Sequence, residues 1–316
     1  MRHVALLLAV AGCGLSEPAP LPEHAFAFGV FGDGPYYPWE NGRFARLIDD
    51  VNRHDLGFFV HVGDIFDAPC SDAAYRDRLA SINTIQHPVI YAPGDNEWRD
   101  CHPARSGSYA PLDRLVFLRR VFFADPHHSL GARPIALVAQ ADDPTFATFP
   151  EHAQWEFGTF LFVTLHMVGA DLFPGHGPAD EAAIVERTAA AMAWMDSAFQ
   201  RAIREGLHGV VLIFHGEPGL ERAPGREAGF DEFVDAIEDH AKAFAGQVLV
   251  VHGDWHDQKV DQPLRDRVTG DTVRNVTRLE TFGSPDIGWV RVVVDTVAGQ
   301  FVTFEPRQMP RRWILF

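Results

Sequence analysis

The chain has 316 residues, 47% of them hydrophobic and 22% charged, enough to bury a full core in one large domain, two at most. That balance argues against a disordered chain. Its 27 basic against 43 acidic residues leave a net charge of −16, which argues against a broad nucleic-acid footprint and against attraction to an anionic membrane surface. Bound divalent cations would offset part of it.

The first 24 residues read as an address rather than as structure. Met1-Arg2-His3 is a short basic start, and residues 4–10 are an apolar run too short to span a bilayer. Val10-Ala11-Gly12-Cys13 follows, similar to a bacterial lipoprotein signal in which Cys13 is acylated and becomes the first residue. An ordinary secretory signal cleaved slightly later is the alternative. Both expect export; the first expects a lipid on Cys13 that anchors the chain on the periplasmic side of the envelope. Residues 16–22, rich in proline, read as a stiff tether, so the folded domain is expected over 25–316. In an oxidising compartment Cys70 and Cys101 are expected to pair, two unrelated buried thiols being the other possibility.

AFAFGVFGD (25–33), FFVHVGD (58–64) and PVIYAPGD (88–95) are continuous apolar runs ending in Gly-Asp, the pattern of strands buried on both faces. Residues 40–54 and 72–85 between them carry apolar residues at helical spacing, which gives βαβαβ and a largely parallel sheet. The second half repeats the plan with strands at 159–169, 209–216 and 247–256 and helices at 179–205 and 230–245. There the strand ends carry histidine. The tail, with NVTRLETFG, WVRVVVD and QFVTFEP, alternates better and is expected to supply antiparallel edge strands of a second sheet.

Ligands of open α/β sheets sit beyond the carboxyl ends of the strands. Those ends supply Asp33, Asp64, Asp95, His215, Asp254 and His256. A cluster of that many carboxylates cannot stay ionised without cations, so a metal centre is expected.

The order Asp, Gly-Asp, Gly-Asn-His-(Asp/Glu), His, Gly-x-x-His resembles that of the calcineurin-like metallophosphoesterase family, over nearly the whole chain from Asp33 onward. The resemblance implies an α/β fold, a four-layer α-β-β-α sandwich of two mixed sheets. It implies two divalent ions bridged by Asp64, with Asp33 and His256 on the first ion and Asp95, His215 and Asp254 on the second. A hydroxide formed there would attack the phosphorus of a phosphate mono- or diester in a phosphorylated small molecule.

The departures are specific. Asp33-Gly34-Pro35 lacks the histidine with which the family often opens. Purple acid phosphatases, one branch of the family, use a tyrosine three residues after the bridging aspartate; Asp67 stands there, either a ligand of the first ion or a residue that holds a ligand from behind. Asp254 replaces a histidine, Asp95 the ligating asparagine, and Asn96 the histidine that contacts phosphate and assists the leaving group. Added to the usual two aspartates, these two carboxylates bring the sum with two divalent ions near zero and favour Mn, Mg or Fe over zinc, with Ca also compatible. Asn96 can donate a hydrogen bond to a phosphoryl oxygen but no proton to a leaving group. His102 and His166 are the candidates to replace that function. His252 reads as a core residue, and Glu97 as fixing its loop or orienting a histidine. Trp98 and Trp255 read as site walls or core. Residues 173–176 read as a substrate rim or a plain loop, and Arg278 and Glu280 could face the site. A non-catalytic, metal-stabilised envelope protein is the alternative function.

Overall fold

The computed structural model describes residues 20–169, 178–221 and 230–311, without the side chains of 178–181. The signal, Cys13, most of the tether and residues 173–176 lie outside the described residues. No described helix is long and apolar enough to cross a membrane.

The first half runs β1 (Ala25–Phe31), α1 (Asn41–Val51), β2 (Phe59–His61), α2 (Asp72–Ile82), β3 (Val89–Tyr91) and α3 (Pro111–Phe122). The second runs β4 (Val138–Ala139), β5 (Ala153–Phe157), β6 (Phe160–Thr164), α4 (Pro178–Glu205), β7 (Gly209–Ile213), α5 (Asp231–Ala243), β8 (Gln247–His252), β9 (Lys259–Asp261) and β10 (Val276–Glu280). β11 (Gly288–Asp295) and β12 (Gln300–Gln308) close the chain. A five-stranded sheet has the order β12-β11-β1-β2-β3, and a seven-stranded sheet the order β4-β5-β6-β7-β8-β10-β9. β1, β2 and β3 are parallel neighbours, as are β6, β7, β8 and β10.

The two sheets meet face to face. Phe26, Phe28 and Val30 of β1 pack against Phe160, Phe162, Val211 and Leu249 of the other sheet, with Phe28 stacked on Phe58 and edge-on to Phe162. On the outer face of the first sheet, Phe44, Leu47 and Val51 of α1 cover Phe59 and Trp289. On the outer face of the second, Met195 and Phe199 of α4 and Phe233 and Ile237 of α5 cover Val210, Leu212 and Val248. This is the expected four-layer α-β-β-α sandwich of two mixed sheets, and burial of both sheet faces explains why the strand runs are continuously apolar.

The tail departs from expectation. β10 lies within the seven-stranded sheet, parallel to β8 and capped by β9, while β11 lies antiparallel between β1 and β12 in the first sheet. Of the three tail strands only β12 is an edge. The physical reason is burial: β11 is shielded on both faces along almost its whole length, as an interior strand must be. α3, the β5–β6 hairpin and β9 were not expected from periodicity.

Asp50 ties α1 to the closing strands. It is buried, accepts Trp289 Nε1–H at 3.0 Å, and accepts Arg307 Nε–H at 2.8 Å and Nη2–H at 3.1 Å. Burial pushes its pKa up, but Arg307, Arg53 and Trp289 outweigh burial and hold it below the usual carboxylate value. The folded chain therefore binds this proton less readily than the unfolded chain, and Asp50 stabilises above the unfolded pKa of about 3.9. Asp50→Ala, which strips the buried Arg307 of this partner, should cost about 3 kcal/mol at pH 7 in urea denaturation. The difference from wild type should shrink as the pH falls below about 4.

Candidate metal centre

Because β1, β2 and β3 run parallel in one sheet and β7 and β8 in the other, their carboxyl ends open on one edge of the sandwich. There the chain turns sharply. Asp33, Asp64, Asp254 and His256 all have left-handed backbones, with φ of 54°, 54°, 78° and 63°. Such conformations cost energy in non-glycine residues and concentrate at functional sites. Glycine neighbours let the turns close: a Cβ on Gly94 would collide with the Asp64 carboxylate, and one on Gly253 with that of Asp33.

The side chains converge. Asp33, Asp64 and His215 place donor atoms within 4.8 Å of one another, all three buried. His215 Nδ1–H donates to the Val62 carbonyl at 2.9 Å, which leaves a lone pair on Nε2. Nε2 has no hydrogen-bond partner among the described residues, yet faces Asp64 Oδ1 at 3.4 Å, Asp95 Oδ1 at 3.5 Å and Asp254 Oδ1 at 3.9 Å. Amid carboxylate oxygens that atom calls for positive charge, a proton or a metal ion. Donors about 2.1 Å from one ion lie about 3.0 to 3.4 Å apart, so the first separation fits a shared metal and the second lies just beyond it.

Asp64 divides the site. Its Oδ1 faces His215 and accepts the Asn96 backbone N–H at 3.1 Å, while its Oδ2 accepts Tyr36 O–H at 2.8 Å. Tyr36 O also lies 3.2 Å from His256 Nε2, which is 3.5 Å from Asp33 Oδ1. His256 Nδ1 is tied to the Ser284 carbonyl at 2.7 Å, so this ring too turns Nε2 inward. Asp33 is held by the Asp254 backbone N–H at 3.0 Å and Thr281 Oγ1–H at 3.2 Å, and Asp254 by the Glu217 backbone N–H at 3.0 Å. Imidazoles anchored on backbone carbonyls and carboxylates braced by N–H groups are the outer support that metal ligands have.

The electrostatics agree. Burial lowers the His215 pKa, but Asp64, Asp95, Asp33 and Asp254 pull it well above the usual value, as they would favour any positive charge at that point. Burial raises Asp64 well above the carboxylate range and Asp254 to about 6. Asp95 is raised by burial, but its contact with His215 carries it below its ordinary value. The donors present fit divalent metal.

The other residues singled out in the sequence fall elsewhere. Both Asp67 oxygens accept from Arg105 Nη1, at 2.8 and 3.0 Å. Tyr36 is the residue that lies against Asp64 and His256. The missed signal was a tyrosine three residues after Asp33 rather than three residues after Asp64. Asn96 touches Asp64 through its backbone. His102 is exposed, its Nδ1 on the Arg99 carbonyl at 3.1 Å. His166 is buried, with Nδ1 on Glu151 Oε1 at 2.7 Å and its ring edge-on to Trp98, and burial lowers its pKa to about 4. Glu97 fixes its loop, accepting Ile65 N–H at 3.0 Å and Tyr91 O–H at 2.8 Å. Trp98 is core and Trp255 is exposed. Cys70 and Cys101 form a disulfide that joins the segments after the Asp64 and Asp95 loops. Arg278 pairs with Asp261 and Glu221.

No protein-family model and no curated protein matches this sequence. Among solved structures, TT1561 of Thermus thermophilus is similar at 13% identity and a TM-score of 0.50, over 90% of this chain and 100% of that one. PhoD is similar at 13% identity and a TM-score of 0.52, over 89% of this chain and 66% of that one. These likenesses show a shared fold, the α/β sandwich of two mixed sheets described above.

Gly94→Ala, which drives a methyl group into the Asp64 carboxylate, should lower the metal retained after desalting, measured by plasma emission. Asp67→Asn should leave metal content unchanged and cost no more than about 1 kcal/mol, because Arg105 is exposed.

Proposed function

We propose that the chain is an exported, metal-dependent phosphoesterase that hydrolyses a phosphate mono- or diester of a small molecule at a two-metal centre. The observation that carries this reading is Asp64, whose two oxygens address two donor groups: His215 and Asp95 on one side, with Asp254 behind them, and Tyr36 and His256, with Asp33, on the other. Asp64 would bridge, Asp33 and His256 would hold the first ion with Tyr36 beside them, and Asp95, His215 and Asp254 the second. Bound there, divalent ions supply Lewis acidity toward phosphoryl oxygens and offset the carboxylate charge. The oxygen-rich donor set favours Mn, Mg or Fe over zinc, with Ca compatible.

The chain's own residues do the rest. Tyr36 O–H and the Asn96 N–H fix the direction of both Asp64 oxygens. Burial and the neighbouring Asp64 push the Tyr36 pKa well above 10, so its phenol is a donor in the ion-free chain. Asn96 offers no proton to a leaving group, and His102 is turned to a backbone carbonyl. Hydrolysis should therefore depend steeply on how well the leaving group departs unaided. Export, with a lipid on Cys13 holding the domain at the periplasmic side of the envelope, is part of the proposal and rests on the N-terminal sequence.

With Mn²⁺ added, the wild-type chain should hydrolyse p-nitrophenyl esters far faster than phenyl esters. Asp64→Asn should lose about 10³-fold or more in kcat/KM, some 4 kcal/mol of transition-state stabilisation. His102→Ala should retain full activity. Equal rates for wild type and Asp64→Asn would overturn the catalytic reading.

A further inference from the structure

Beside the centre lies a second group of metal-competent side chains. Glu217 on the loop after β7, His252 at the end of β8 and Glu280 at the end of β10 bring donor atoms within 4.8 Å of one another. The sheet fixes this meeting, because β8 and β10 are parallel neighbours with His252 opposite Glu280 in register. His252 and Glu280 are fully buried and Glu217 nearly so.

Each of the three has one atom tied to the backbone. Glu217 Oε1 accepts the Gly219 N–H at 2.8 Å, Glu280 Oε1 accepts the Asp257 N–H at 3.0 Å, and His252 Nδ1–H donates to the Gly253 carbonyl at 3.0 Å. Of the remaining atoms, Glu280 Oε2 lies 2.7 Å from Lys259 Nζ and the other two face each other. His252 Nε2 and Glu217 Oε2 stand 3.4 Å apart, and neither has a hydrogen-bond partner among the described residues. With its proton on Nδ1, His252 turns a lone pair toward a carboxylate oxygen, a repulsive contact in a buried place unless a positive charge lies between. Backbone-anchored ligands with converging free donors are what a metal requires.

The charge balance points the same way. Glu217, Glu221, Asp261 and Glu280 surround two cations: Arg278, 2.5 Å from Glu221 and 2.6 Å from Asp261, and Lys259, 2.7 Å from Glu280 Oε2. Among these described residues two negative charges are left over, the exposed Asp257 aside.

We propose that Glu217, His252 and Glu280 form a cation site, separate from the centre at Asp64, for a divalent transition-metal ion such as zinc. His252 Nε2 and one oxygen of each glutamate are its ligands, and Lys259 competes for the same carboxylate. The site braces the centre without belonging to it: the Glu217 N–H holds Asp254, and His252 and Asp257 flank the turn that carries Asp254 and His256.

The test is anomalous diffraction at the zinc edge from crystals of the full folded chain soaked in zinc, with equilibrium dialysis of zinc in solution. A peak within about 2.3 Å of His252 Nε2 and of both glutamates is expected. In His252→Gln that peak should vanish and dialysis should show one ion fewer per chain, while any peaks at Asp64 persist. Lys259→Met, which removes the competing cation, should bind zinc at this site about tenfold more tightly. A zinc-soaked crystal with no peak between the three side chains, a stoichiometry unchanged by His252→Gln, or an affinity not raised by Lys259→Met each overturns the inference. Zinc here, with no manganese at Asp64 in crystals soaked in Mn²⁺, would sink the proposed function and leave this site standing.

Discussion

The structure is governed by carboxylates gathered where little water can reach them. Asp33, Asp64 and Asp95 are buried at the junction of the two sheets, and Asp254 completes the group. At such separations like charges repel strongly, and burial makes each charge costlier still. No core packing offsets that; only positive charge does. The left-handed turns, the glycines pressed against the carboxylates and the backbone N–H groups aimed at their oxygens all hold these groups where a chain without metal would not favour them.

Burial in two layers makes this possible. The inter-sheet core of phenylalanines and valines fixes the strand ends to within a hydrogen bond, so that residues as distant in sequence as Asp33 and Asp254 meet. The helices seal the outer faces and carry few of the chemical groups. The Cys70–Cys101 bond joins the segments following two of the acidic loops, and Glu97 binds one loop to the other through the Ile65 amide.

Much of this was legible in the sequence because strand ends are local. A buried run closing on Gly-Asp, met three times and followed by two histidine-bearing ends, gives both the parallel order of the strands and the residues on one edge. What escaped was non-local. Tyr36 reaches the centre only because its loop folds over Asp64, and nothing in the spacing of one loop reveals which other loop it covers. Which sheet β10 and β11 join depends on partners far along the chain, so alternation showed strands without placing them. The same holds for Glu217, His252 and Glu280: each looks ordinary in its own segment, and their conjunction is made by pairing of β8 with β10.

The central claim is that the fold tolerates these aspartates because metal offsets their charge. Asp254 tests it most directly, since burial raises its pKa to about 6 and its Oδ2 only accepts a backbone N–H, which an asparagine oxygen can also do. Chemical unfolding of wild type and Asp254→Asn should be compared at pH 8, in chelator and in Mn²⁺. In chelator the variant should be the more stable of the two, relieved of one repelling charge; in Mn²⁺ the order should reverse. A wild-type chain whose stability is the same in chelator and in metal would contradict the account.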